Sequence, residues 1–404
     1  MASQLPDGEP VPVTGELPEP ARAQVGQHDF GVYVHVPFCA SRCGYCDFNT
    51  YAPGEGASRD GYVDALVAEI GLAGRVLRDN PPPRVETVFF GGGTPTLLPA
   101  ADLNRILDAI DSAWGLAASA EITTEANPES VDPAYLGELK AGGFTRISLG
   151  MQSASARVLA VLDRQHTAGR AAQAAQEARE AGFEHVNLDL IYGTPGETGE
   201  DFATSLEAAV AAGVDHVSAY ALIVEDGTRM AARMRRGELP YPDDDVAADR
   251  YLAAEARLTG AGFGWYEVSN WARTEPARCR HNLLYWTGGD WWGFGPGAHS
   301  HVGGVRWWNV KHPTAYANRL GAGESPGAGR ELLSDDDRHV EDVMLRLRLA
   351  DGVPMAEWSR AEKAGAARAL NRGLLDERAF LAGSALLTLD GRLLADAVVR
   401  DILP

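Results

Sequence analysis

The chain has 404 residues, 45% of them apolar, and a formal net charge of −20. That length accommodates a large domain and a smaller one, each with a buried core. The charge excludes general nucleic-acid binding, which sets Lys and Arg against phosphates, and reads as a solubility device. No apolar run reaches the roughly 18 residues of a spanning helix, and the N-terminus lacks the basic-then-apolar order of a signal peptide. Four cysteines in so long a chain are no disulfide framework, so a reduced, cytoplasmic setting is expected.

Residues 1–27 hold five prolines in the first twenty positions and predict a disordered tail. An alternating pattern follows. Strands are predicted at 31–36, 87–90, 121–125, 146–149, 185–190 and 216–220, mostly as continuous apolar runs suited to buried parallel strands. Between them Asp132 and Pro133 mark a helix start as N-cap and N1. Thr167 is expected to cap a helix running to Glu180, with Gly182 as its stop, and Thr198 one over 200–212. Six strand–helix units predict an α/β fold with a parallel sheet, either a partial β/α barrel or an open doubly wound sheet. In both, ligands collect at the carboxyl ends of the strands.

Past Tyr220 the regularity fades into a helix at 243–260 and a strand at 263–268. The expected division is a barrel-like unit at 28–265, a Gly/Trp/His-rich extension at 266–325 and a C-terminal domain at 330–404. A Gly/Ser/Pro linker at 321–329 leads into that last domain. Helical patterns at 335–349 and 354–370 and a hairpin, 386–390 with 392–394, turning at Asp390-Gly391, predict a helical, winged-helix-like module. Its acidic balance speaks against DNA.

The densest chemistry is CASRCGYC, which places Cys39, Cys43 and Cys46 directly after the first strand. Three thiolates on one loop hold three irons of a [4Fe–4S] cluster and leave the fourth iron open. That open iron is the requirement for binding S-adenosylmethionine (SAM) through its amino and carboxylate groups, with the radical chemistry supplied by the cofactor. The plainer readings are a zinc site short of its fourth ligand and inert buried thiols. Structural zinc asks for a second ligand pair, whereas the one other cysteine, Cys279, is far along the chain; three thiols in eight residues are dense for inert filler.

Other polar residues gather at the same strand ends. Gly91-Gly92-Gly93-Thr94-Pro95 follows the second strand, Glu125 ends the third, Gln152 follows the fourth and Asp189 nearly ends the fifth. The glycines lack the Lys of a phosphate loop and the spacing of a dinucleotide fingerprint, but they let backbone approach a ligand closely. Tyr33 and His35 share one strand face. Tyr45 either stacks on a purine or packs its loop. Glu125, Gln152, Arg164 and Asp189 supply polar contacts, each with a salt bridge or cap as its plain alternative. A second region, CRHNLLYW and then GFGPGAHSHVGG, carries His281, Asn282, Tyr285, Trp286, His299 and His301. Histidine ligates metals and haem iron and Trp or Tyr faces pack on flat rings; the plain alternative is an aromatic subdomain core.

Together, YVHVPFCASRCGYCDF, FFGGGTPT, TTEANP, SLGMQS and NLDLIYGTPGE resemble the radical SAM enzymes of the oxygen-independent coproporphyrinogen III dehydrogenase family, over residues 31 to the C-terminus. YEVSNWA followed by CRHNLLYW resembles its HemW branch, the haem chaperones. The dehydrogenases carry a further Cys two positions after the third, where this chain has Phe48, which favours the chaperone branch over dehydrogenase activity. The resemblance implies a partial (β/α)6 barrel with a helical C-terminal domain, and Cys39, Cys43 and Cys46 as cluster ligands. It implies SAM contacts from Tyr33, Tyr45, Gly92, Gly93, Thr94, Glu125, Gln152, Arg164 and Asp189, His299 in a loop closing over the cofactor, and His281 as the haem residue. Its cofactors are the [4Fe–4S] cluster, exchangeable SAM and haem. Its partners are acceptor haemoproteins, respiratory enzymes among them, reached at most by peripheral membrane contact. The alternatives are the dehydrogenase itself, decarboxylating coproporphyrinogen III, or a radical SAM enzyme with another substrate.

Overall fold

The computed structural model describes residues 8–79, 84–164, 167 and 169–403. The six expected strands are present as β1 Phe30–Val36, β2 Val85–Gly92, β3 Leu116–Ala126, β4 Arg146–Gln152, β5 His185–Tyr192 and β6 His216–Ala221. Each pairs in parallel with the next in the chain. This unbroken order decides between the two architectures, because a doubly wound sheet reverses its order at a switch point and a barrel does not. Beyond β6 lie the antiparallel β7 Gly264–Glu267 and β8 Asn270–Ala272. Beyond β1 lie β9 Asp290–Phe294, parallel to it, and then the antiparallel β10 His299–Val302, β11 Val305–Asn309 and β12 Gly327–Leu332. Among the described residues these strands form one sheet ordered β12-β11-β10-β9-β1-β2-β3-β4-β5-β6-β8-β7.

The two faces divide by the strand period of two. Val32, Val34, Val88, Phe90, Ile147, Leu149, Leu188 and Leu190 pack outward in one core with Leu66, Ile70, Leu103 and Ile106 of the surrounding helices. The inward positions are polar: Tyr33 and His35, Thr87, Glu121 and Glu125, Arg146 and Ser148, Asn187 and Asp189, His216 and Ser218. A second core, from Val343 to Ile402, belongs to the C-terminal segment. It is helical, with helices Asp335–Arg346 and Arg360–Asn371 and a two-residue ladder of β13 Val353–Pro354 on β14 Ser384–Ala385. Among the described residues no helix is long and apolar enough to cross a membrane.

Five local expectations are corrected. The tail is ordered from Gly8: Leu17, Ala21 and Val25 are buried, and Glu9 bridges Arg330 on edge strand β12, covering the row of unpaired backbone groups an edge exposes. Residues 1–7 of that tail lie outside the described residues. Thr167 is not the cap of helix Arg170–Glu180; Gly169, at φ +79°, is. Part of the 321–329 linker enters β12, paired with β11. The second C-terminal helix starts at Arg360, after the Ser359 capping box, and Pro354 lies in β13. The hairpin at Asp390-Gly391 is the helix Leu389–Leu393, capped by the Thr388 hydroxyl, which accepts from Gly391 N at 3.0 Å. Gly391 serves close packing there: a Cβ would stand 2.0 Å from Leu374 O. Asp132 and Thr198 cap their helices as expected, Thr198 through a reciprocal capping box.

Candidate functional site

β1 delivers the cysteine loop to the barrel mouth, and neighbouring strands hold it there. On β1 the His35 ring spends both nitrogens: Nε2–H donates to Asn49 O at 2.9 Å, so Nδ1 accepts from the Tyr33 hydroxyl at 3.0 Å. Asn49 passes the restraint on, its Nδ2 donating to Pro296 O at 2.9 Å and Lys311 O at 2.8 Å. Burial lowers the His35 pKa and holds the Tyr33 phenol well above its ordinary range. The shared face expected of Tyr33 and His35 is therefore a working hydrogen bond.

The glycine run closes against the same loop. Gly93 N donates to Val36 O at 2.7 Å and Thr94 N to Phe38 O at 2.8 Å. A Cβ on Gly93 would lie 2.5 Å from Phe38 O. Gly92 sits at φ +105°, and a Cβ there would meet the His35 ring at 2.6 Å. Gly92 N donates to Glu125 Oε2 at 3.1 Å. Burial, with the Asp189 charge adding to it, pushes the Glu125 carboxyl up to about 8. Asp189 is also raised by burial, against the pull of its hydrogen bonds: Ser148 Oγ donates at 2.9 Å and Asn187 Nδ2 at 2.7 Å.

Cys39, Cys43 and Cys46 are all half-buried. Burial, with the neighbouring Cys46 and Cys43 thiols, pushes Cys39 up to about 11, so the three sulfurs feel one another. Arg164 is the bridge from the loop to β4: one terminal nitrogen reaches Cys43 Sγ at 3.6 Å and the other Gly150 O at 3.1 Å. Gln152 follows with φ +63°, a left-handed conformation that is strained by about 1–2 kcal/mol in a non-glycine residue. Tyr45 packs its ring among Val158, Leu162, Ile191, Met230 and Met234, so it docks the loop. Phe48 is 62% exposed on the same loop. His299, where β10 begins, is exposed and stacks on Trp308 at 6.1 Å.

These donors fit a cubane cluster. Among the described residues no three His, Cys, Asp or Glu side chains converge on a point as one metal ion requires. A four-iron cluster asks for a wider triangle, because each thiolate takes a different iron. The cradle Gly92–Gly93, which a Cβ would fill, leaves backbone next to that loop.

His281 lies elsewhere, inside the barrel on helix Arg280–Trp286, and is 1% exposed. Nδ1 meets Thr87 Oγ1 at 2.8 Å, Nε2 meets Tyr285 OH at 2.8 Å, and the ring stacks on Phe89 at 5.2 Å. Burial drives its pKa down to about 3. Both ring nitrogens of His281, expected as the haem residue, are thus engaged within the protein in this structure. The carboxylates that hold this helix were not among the expected site residues. Glu121 accepts from Arg280 N and His281 N at 3.0 Å each and pairs with Arg146 at 3.9 Å. Glu267 accepts from Asn282 Nδ2 at 3.5 Å. Glu121 was findable as the inward residue two pairs before Glu125 on one strand face.

The model of the Radical SAM superfamily matches residues 33–209, the span from Tyr33 through the parallel strands to β5 and its helix. The chain is 55% identical over 396 residues to the heme chaperone HemW of Mycobacterium tuberculosis, covering 98% of each protein. The chain belongs to the HemW family. HemW of Bacillus subtilis is 33% identical, covering 82% of this chain and 86% of that one. The structure of coproporphyrinogen III oxidase (HemN) from Escherichia coli, described as a radical SAM enzyme, superposes with a TM-score of 0.80 at 26% identity, over 95% of this chain and 92% of that one. A HemW-family chain thus carries a HemN-like fold, and its radical SAM membership implies a [4Fe–4S] cluster and SAM.

Proposed function

We propose that this protein is a haem chaperone that binds haem and passes it to acceptor haemoproteins, while carrying a [4Fe–4S] cluster with exchangeable SAM. The observation that carries the reading is 55% identity to a heme chaperone over 98% of both chains. Cys39, Cys43 and Cys46 would hold the cluster. Gly92, Gly93 and Thr94 offer backbone to the methionine part of SAM, and Tyr33, Glu125, Gln152, Arg164 and Asp189 line the polar mouth beside it. When bound, the cluster supplies one electron and an open iron to SAM. The chain's own part is positioning. Arg164 offers positive charge at Cys43, and the buried pair Glu125 and Asp189 offers acceptors to a ribose or an amino group. Phe48 stands where the dehydrogenases have a thiol, which removes the residue that distinguishes them. Respiratory enzymes are the acceptor class we infer.

The test is anaerobic reconstitution, followed by titration with haem and assay with coproporphyrinogen III. The proposal expects haem to bind with a defined stoichiometry and no protoporphyrinogen to form. Protoporphyrinogen formation would establish the dehydrogenase reading in its place.

A further inference from the structure

A chain of hydrogen bonds runs along the inner face of the barrel and ends on Asp189. Register puts it there: Ser148 on β4 pairs with Asn187 on β5, and Asn187 with His216 on β6, and directly paired residues share a face. Asp189, two positions beyond Asn187 on that face, is half-buried at the mouth. Asn187 and His216 are buried behind it, with Tyr266 of β7 buried in turn against His216.

The direction of every proton in this chain is set from its far end. Cys279 N, where the helix Arg280–Trp286 begins, donates to the Tyr266 hydroxyl at 3.0 Å. The hydroxyl accepts there and sends its own hydrogen to His216 Nε2 at 2.7 Å. Burial, with Arg146 adding to it, holds the His216 pKa well below its ordinary value, so the ring is neutral. A neutral imidazole that accepts at one nitrogen donates from the other, and Nδ1–H donates to Asn187 Oδ1 at 2.6 Å. With its oxygen taken, Asn187 turns Nδ2 the other way. Nδ2 donates to Asp189 Oδ1 at 2.7 Å and Ser148 Oγ at 2.6 Å, with Ser218 Oγ 3.0 Å away. Ser148 passes its own hydrogen to Asp189 Oδ2 at 2.9 Å. Both oxygens of Asp189 thus receive donors. Among the described residues His216 is the one donor to Asn187 Oδ1. The other charged and titratable groups, Arg164, Glu125 and Tyr220 around Asp189 and Arg146 and His185 around His216, make no bond to that oxygen.

We infer that His216 is a positioning residue for the SAM site: its Nδ1–H holds the Asn187 amide in the one orientation that aims a donor at Asp189, so that the carboxylate meets SAM as an acceptor. The inference rests on the reading of Asp189 as a SAM contact. His216 touches no ligand and acts through Asn187 alone. Without its N–H the Asn187 amide is free to turn its oxygen toward Asp189. Two acceptors then face each other in a buried site, which favours a proton on the carboxyl and costs Asp189 its part as acceptor.

The test measures SAM binding to the full-length, anaerobically reconstituted protein by equilibrium dialysis, with iron per chain as the control. In parallel, nitrogen-15 NMR of histidine-labelled protein reads the His216 tautomer. The wild type should show His216 protonated at Nδ1. His216→Leu should weaken SAM binding by about tenfold, the worth of one hydrogen bond to a charged group, with iron retained. His216→Asn sets an amide N–H where Nδ1 stood and leaves Tyr266 unpaired, as leucine does. It should recover most of the affinity, which a merely structural role would not produce. Tyr266→Phe removes one oxygen and no packing; it should bind SAM more weakly than the wild type and show His216 in both tautomers. A wild-type ring protonated at Nε2, unchanged affinity in Tyr266→Phe, or His216→Asn as weak as His216→Leu would overturn the inference. The wild-type tautomer and Tyr266→Phe decide it even where the leucine variant loses its iron. A wild type that holds its iron and binds no SAM would overturn the reading of Asp189 beneath it.

Discussion

Gly93 and Arg164 are the residues on which the barrel mouth depends most directly. A side chain at Gly93 meets the carbonyl of Phe38 at 2.5 Å, and backbone cannot rotate aside. Gly93→Ala is expected to destabilise the protein by about 1–3 kcal/mol and to lower iron per chain after anaerobic reconstitution. Undiminished iron with a lowered melting temperature would mean that the glycine serves the fold alone. Arg164 uses two arms of one planar group, on Cys43 and on Gly150 O, and lysine has no second arm. Arg164→Lys should therefore retain less iron than the wild type and more than Arg164→Ala. Lysine restoring full retention would show that charge alone matters. The cysteines and glycines were legible because their spacing and position after apolar strands carry meaning in sequence. The engagement of both His281 nitrogens was not, since Thr87 is 194 positions away.

At the scale of elements, the helix Arg280–Trp286 is held less by its own seven residues than by carboxylates from elsewhere. Glu121 accepts from two of its backbone N–H groups and also faces buried Arg146. Removing one partner of a buried ion pair leaves the other charge uncompensated, at about 3–5 kcal/mol. Glu121→Ala should show that loss in chemical denaturation, and Glu121→Gln, which keeps one of the two acceptor oxygens and loses the charge, should fall between it and the wild type. A loss under about 1 kcal/mol would mean that the pair is solvated. The six parallel strands were readable because each is a short apolar run closed by glycine or polar residues. The Asp390-Gly391 turn was misread because dipeptide preference is local, while the Thr388 cap and the contact of Gly391 with Leu374 O are set by tertiary packing. The proline-rich N-terminus was misread for a related reason. A few apolar anchors, Leu17, Ala21 and Val25, dock a segment whose average composition reads as disordered.

For the whole molecule, buried carboxyls and buried histidines pull the response to pH in opposite directions, and Glu69 gives the carboxyl share a handle. Glu69 joins helix Tyr62–Val76 to the β9–β12 extension, accepting from Gly295 N at 2.9 Å, Asn309 Nδ2 at 2.7 Å and the Tyr316 hydroxyl. Burial pushes it up to about 7, against the pull of those three donors; Glu267 is likewise raised to about 8, chiefly by burial. A folded state that keeps a proton the unfolded chain has released loses stability as pH rises. Between pH 4.5 and about 7, Glu69 alone contributes a fall on the order of 3 kcal/mol. Between pH 5 and pH 8 the melting temperature of Glu69→Gln should fall less, or rise more, than that of the wild type, because the buried neutral histidines, such as His281 held at about 3, push both proteins the other way below pH 6.5. The same pH dependence in the variant and the wild type would contradict the assignment. The overall architecture followed from the order of strands and helices. The extension of the sheet past both ends of the barrel did not, because β8 and β9–β12 are short, most of their pairings are antiparallel, and β9 joins β1 across most of the chain.

The most direct test is to purify the protein without oxygen and measure iron and acid-labile sulfide, with an electron paramagnetic resonance spectrum of the reduced protein before and after adding SAM. A cluster anchored by Cys39, Cys43 and Cys46 predicts about four iron and four sulfide per chain, a spectrum that changes when SAM takes the open iron, and loss of both when the three cysteines become serine. A protein free of iron and sulfide, or one that keeps them in the triple variant, would contradict it.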